Sequence, residues 1–240
     1  MKAKTSKLPN WTKGVIVGMI ILFLIWSSYC MYISFYKGNF NSLSFSTYES
    51  PYDDQSVLQD YDFVYCYGNV SQKDIDSIIP HIFAHFQNEF LSFLNSGGVF
   101  VISDDFGNMA RELFNYSKKD YEFGVGGFTI EAKRYGKPVI CINLNGSDGE
   151  RKKSGLVDAA IHEMAHYIDN RGEFSATDEF KTYFSQYSED YKPQSNVAEG
   201  YQKENAKEFF AILYTDTITS PNLNMPDDLY QYMKAICDNR

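Results

Sequence analysis

The chain has 240 residues, with 22 Lys+Arg against 31 Asp+Glu and a net charge of −9. Residues 1–37 hold five lysines and no acid, so the remaining 203 residues carry a net charge of −14. A body that acidic repels phosphate backbones and argues against nucleic-acid binding. With 22% charged and 17% aromatic side chains, it is not a disordered composition either.

The first element is the uncharged run Val15–Tyr36. As a helix it would rise about 33 Å, against a bilayer core of about 30 Å. It predicts a transmembrane signal-anchor over 14–36, with 1–13 as a cytoplasmic basic tail. A cleaved signal peptide is the rival reading, and both place the body outside the cell membrane. Residues 37–58 are polar, rich in Ser and Asn, and interrupted by Pro51; they are expected to be a stalk before a domain at 59–240. Four cysteines without a C-x-x-C spacing, three of them in the body, argue against a disulfide framework and exclude a zinc ribbon.

In the body, Ser71-x-x-Asp74 resembles a capping box that opens a short helix, and Pro80 starts a second one ending at Gly97-Gly98. Val99–Ser103 reads as a buried strand. Phe128–Lys133 alternates apolar and polar residues, and with Val139–Leu144 it suggests a hairpin. Gly126-Gly127 reads as a turn before it. Helical patterns follow near 155–170, 176–187, 204–215 and 226–238. Strands before helices fit an α+β domain, mainly helical with a small, mostly antiparallel sheet.

The chemistry lies in the segment Ser154–Gly172. Val157, Ile161, Met164 and Ile168 recur at helical spacing, with Ser154 placed to cap the start and Gly172 to end it. His162 and His166 then lie about 40° apart and one turn along, so both imidazoles can reach one ion. Glu163 sits beside them. This is an H-E-x-x-H arrangement: the histidines hold Zn²⁺, which activates a water, and the carboxylate takes the water's proton. His81 and His85 are also four apart, but with no Glu between them and with Phe neighbours; they read as core or surface histidines.

A catalytic zinc needs a third protein ligand. Asp169 and Gly172 stand where H-E-x-x-H-x-x-G-x-x-H would need Gly and His, and no histidine follows His166. The third ligand is therefore expected to be a downstream carboxylate. Glu208 stands out because it borders the apolar residues Phe209, Ile212 and Leu213, where an unpaired carboxylate is costly. Glu204 is the next candidate. Asp169 falls on the metal-facing side of the helix, where it either accepts an imidazole N–H or simply ends the helix.

The run Ile161-His-Glu-Met-Ala-His166-Tyr-Ile-Asp169, followed by Tyr201 seven residues before Glu208-Phe-Phe-Ala211, resembles the catalytic domain of anthrax lethal factor-type metallopeptidases. The secreted Pro-Pro endopeptidases share that fold. The resemblance spans about 60 residues (155–215). It implies a zincin-like, gluzincin-type fold in which His162, His166 and Glu208 bind one Zn²⁺, Glu163 is the general base and Tyr201 supports the oxyanion. Lethal factor has an acid where this chain has Ile212, and its receptor-binding and docking regions have no counterpart here. The expected activity is hydrolysis of a polypeptide by a membrane-anchored, extracytoplasmic endopeptidase. A catalytically degenerate zinc-binding surface module, or a metal-free adhesin, would instead cleave nothing. Peptides in such enzymes commonly add as a strand beside the zinc helix, and both hairpin strands qualify for that role.

Overall fold

The computed structural model describes residues 10–37, 46–47, 58, 62–119, 126–145, 153–195, 200–220 and 224–238. The basic tail up to residue 9 and most of the expected stalk lie outside them. Helix α1 (Asn10–Lys37) covers the uncharged run, and its side chains Val15, Val17, Met19–Trp26 and Met31 are all more than half exposed. Among the described residues, however, no helix is long and apolar enough to cross a membrane. The transmembrane expectation for 14–36 therefore finds no support here.

Two pieces of the stretch expected as a stalk belong to the body. Ser46–Thr47 (β1) pairs with Asp62–Tyr67 (β2), and Leu58 is fully buried in the main core. The strands β2, Val99–Ser103 (β3), Gly127–Ile130 (β4) and Val139–Asn143 (β5) complete a five-stranded sheet ordered β1-β2-β3-β5-β4. The expected hairpin is present, because β4 and β5 pair antiparallel. Its first strand stops at Ile130, and Ala132–Tyr135 forms a short helix (α5) instead of more strand.

The sheet is mixed, not mostly antiparallel, since β2, β3 and β5 run parallel. Helical connections make this possible: a parallel pair needs a crossover that returns the chain to the starting edge. Helices α2 (Gln72–Asp76) and α3 (Ile79–Asn95) lie between β2 and β3; α4 (Phe106–Phe114) and β4 lie between β3 and β5.

Strand alternation divides the interior in two. On one face Val99, Val101, Val139, Cys141 and Ile130 pack with Phe106, Met109, Leu113 and Phe114 of α4. On the other, Phe100, Ile102, Ile140 and Ile142 join the larger core. That core is built by α3, α6 (Lys153–Gly172) and α8 (Ala206–Thr219), with α7 (Asp178–Tyr187) and α9 (Asp227–Asp238) outside them. Much of the aromatic content resides here. Phe90 packs against Phe63, Phe83, Phe93 and Phe100 with ring centroids 5.5–6.3 Å apart, each buried ring contributing about 1.5–3 kcal/mol. Phe86 leaves helical geometry and kinks α3 while stacking on Tyr214 of α8 at 5.7 Å.

The helices near 155–170, 176–187, 204–215 and 226–238 are present within a few residues of those bounds. Helix α6 starts at Lys153, so Ser154 lies inside its first turn and not at the cap. It is also not simply amphipathic: every residue from Ala160 to Ala165 is buried. The sheet packs on one side of this helix and α3 and α8 on others, leaving no broad solvent face.

A candidate metal centre between two buried helices

Helix α6 presents His162 and His166 one turn apart, with ring centroids 4.7 Å apart and ring planes perpendicular. Helix α8 supplies the third group. Asn205 caps it, the side-chain oxygen accepting the amides of Lys207 (2.9 Å) and Glu208 (3.0 Å). The cap fixes Glu208 in the first turn, where the helix dipole favours an acid.

His162 Nε2, His166 Nε2 and Glu208 Oε2 converge. The two nitrogens are 3.1 Å apart, and the carboxylate oxygen is 3.2 Å and 3.4 Å from them. A tetrahedral ion with bonds of about 2.0–2.1 Å holds its ligand atoms about 3.3–3.4 Å apart. Two imidazole nitrogens and one carboxylate at that spacing form a zinc donor set, so the residues fit the ion. These three form the only group of three or more potential ligands among the described residues. Glu204 is exposed in the preceding turn, and His81 and His85 lie on α3 outside the group.

The electrostatics point the same way. Burial pushes the Glu208 carboxyl up, but its hydrogen bonds with His162 and His166 outweigh that and hold it well below the usual carboxylate range. Burial pushes His166 down, yet Glu208 brings it above its ordinary value. The pocket thus demands one positive charge, which a metal ion or a proton can supply. Among the described residues, buried His162 Nδ1 has no hydrogen-bond partner, so none of them supplies the acceptor that usually orients a ligating imidazole.

Asp169 does not supply that acceptor. It is 1% exposed, and its carboxylate binds the Ser175 amide (2.7 Å) and hydroxyl (2.5 Å). These bonds secure the turn Phe174–Ala176 after the helix, and Asp169 reaches His166 only through its charge. The helical angle was legible, but the competing partner six residues on was not.

Glu163 follows His162 and is 5% exposed. Burial raises its carboxyl, with both histidines and a hydrogen bond from Thr129 opposing the shift. The Thr129 hydroxyl lies 2.8 Å from Glu163 Oε2, a contact between residues 34 apart that local pattern could not reveal. Gly126 and Gly127 are more than a turn. A Cβ on Gly127 would lie 2.7 Å from both the Cys141 carbonyl oxygen and Glu163 Cγ, and one on Gly126 would lie 3.3 Å from Ala159 Cβ. Gly127→Ala is therefore expected to cost about 1–3 kcal/mol through overpacking. A denaturant midpoint unchanged from the native chain would show that the strand yields freely.

Tyr201 is partly buried against the main core and opens the 3-10 turn Tyr201–Lys203, which packs on α8. It is not a member of the ligand group. Of the hairpin strands, β5 is paired on both sides, whereas among the described residues β4 is an edge.

No family model matches the chain, and no curated protein does. Among solved structures it resembles the Pro-Pro endopeptidase PPEP-2 from Paenibacillus alvei at 18% identity and a TM-score of 0.49, covering 74% of this chain and 95% of that one. At that level nothing about activity transfers from it.

Proposed function

We propose that this chain is a zinc-dependent endopeptidase. The observation that carries the reading is the convergence of His162, His166 and Glu208 from two helices at the spacing of a tetrahedral ion, with Glu163 beside them. A bound Zn²⁺ would supply Lewis-acid chemistry, activating water and polarising a peptide carbonyl. Glu163 takes the proton of the attacking water and returns it to the departing amine. Tyr201 donates its hydroxyl to the carbonyl oxygen as negative charge develops; its support is the sequence resemblance over 201–211. Strand β4, the last strand of the sheet among the described residues, takes the substrate backbone as an added strand. Location of the body outside the cytoplasm is also proposed, on the charge asymmetry of the sequence alone.

The test is direct. The purified body should contain one zinc ion per chain and cleave a degenerate peptide library, losing activity with a chelator and regaining it with zinc. Zinc-loaded protein that cleaves nothing across the library overturns the proposal and leaves a binding module. Metal affinity should fall in acid, because ligating imidazoles must be neutral. Glu208 raises His166 in the metal-free chain, so proton competition should begin above the ordinary imidazole value of about 6.5. A zinc titration repeated across pH measures this, and a flat affinity from pH 8 to 5 would contradict it.

A further inference from the structure

The carboxylate of Glu163 faces strand β4. The strand's register sets Gly127 opposite Ile142 and Thr129 opposite Ile140. Both partners face the larger core, while Phe128 and Ile130 pack on the α4 side. Gly127 and Thr129 therefore turn together toward α6, two residues apart on one face of the pleat.

They do complementary things. Gly127 clears space: a Cβ there would come within 2.7 Å of Glu163 Cγ and 3.1 Å of its Oε1. Thr129 grips the other oxygen, its hydroxyl lying 2.8 Å from Glu163 Oε2 and 2.8 Å from the Glu163 backbone carbonyl. The hydroxyl has one proton to give, and the carboxylate is the stronger acceptor. Among the described residues, Thr129 is the one hydrogen-bond donor to this carboxylate.

We propose that Thr129 is a positioning residue for the hydrolytic base, pinning Oε2 of Glu163 so that Oε1, above Gly127, is the oxygen left to accept a proton. This rests on the endopeptidase reading for its catalytic consequence, but not for its geometry. The terminal torsion of a glutamate is broad and roughly two-fold, so an unpinned carboxylate samples rotations that withdraw the useful oxygen. The β-branched threonine is itself stiff at χ1, which suits it to holding a hydroxyl still. A base held off its productive orientation loses rate, while ground-state binding of peptide is unaffected.

The experiment compares Thr129→Val, which keeps shape and loses the hydroxyl, with Thr129→Ser, which keeps the hydroxyl. In zinc-loaded protein, Thr129→Val should lower kcat about 10- to 100-fold with KM and zinc stoichiometry within two-fold of native, and Thr129→Ser should recover most of the loss. Crystal structures of the metal-free variants give a readout independent of turnover. The Glu163 carboxylate should rotate away from β4 in Thr129→Val and stay in place in Thr129→Ser. A native kcat in Thr129→Val, an equal loss in both variants, or a carboxylate unmoved in Thr129→Val each overturns the proposal. Should native protein hydrolyse nothing, the endopeptidase reading falls, while the metal-free structures still decide whether Thr129 positions Glu163.

Discussion

Glu163→Gln should yield a folded protein that binds one zinc ion per chain and hydrolyses peptides about 10²–10⁴-fold more slowly than the native chain. The substitution is nearly isosteric. Glutamine keeps an oxygen for the Thr129 hydroxyl, which now lies 2.8 Å from Oε2, and it removes only the ability to take a proton. Metal binding should survive because Glu163 is not one of the three converging groups. Stability should hold or rise slightly, since a buried carboxyl that desolvation raises is replaced by a neutral amide. Zinc content and kcat measured on the same preparation check the pair of outcomes. Retained hydrolysis would move the base elsewhere, and lost zinc would make Glu163 a ligand.

Asp216→Ala should destabilise the fold by about 2–6 kcal/mol, at about 1–3 kcal/mol for each buried donor left unsatisfied. Asp216 is fully buried in α8. Its carboxylate accepts the Tyr191 hydroxyl (2.6 Å) and the amides of Gln194 (3.0 Å) and Ser195 (2.7 Å). Alanine would take the acceptor away from two buried donors, the Tyr191 hydroxyl and the Ser195 amide. The damage should spread, because the Tyr191 carbonyl accepts the Gln202 side chain (3.0 Å), whose oxygen accepts the Gly200 amide (2.9 Å). Asp216 thus anchors residues 191–195 and, through the bond between Tyr191 and Gln202, the turn Tyr201–Lys203 that precedes the cap of α8. A denaturant midpoint that falls with an unchanged slope is the expected signature; a loss under about 1 kcal/mol would mean the network is dispensable. The same contact sets an alkaline limit. Burial first, and Asp216 second, raise Tyr191 above its ordinary value of 10.0. Its contribution is whole below pH 10 and is lost as pH climbs through the raised value, so native protein should weaken above pH 10 more than Tyr191→Phe does.

The convergence of His162, His166 and Glu208 was legible because helical chemistry is local. Four residues separate His162 from His166, and a charged Glu208 against Phe209 and Ile212 announced a buried partner. The rest depends on contacts between distant parts of the chain. Thr129 meets Glu163 only after β4 is laid on α6, and Gly127 looks like a turn until that packing supplies the atoms a side chain would strike. Asp216 resembles any polar residue in a helix until the 191–195 segment folds back on it. Parallel pairing of β2, β3 and β5 is set by crossover helices, so a hairpin could be read at β4–β5 while the sheet's sense could not. β2 itself, Asp-Phe-Val-Tyr-Cys-Tyr, and α4 were not anticipated, and the helical wheel gave Asp169 a direction without naming Ser175 as its partner.

Helices α6 and α8 are also among the most enclosed segments of the molecule, with Ala160–Ala165 and Phe209–Asp216 all buried. Amide groups in such segments exchange with solvent only through openings that approach global unfolding. Side chains mounted there inherit the calm of the interior. The corollary is intolerance: substitutions that loosen the Phe90 or Phe209 surroundings should blunt turnover well before the chain visibly melts.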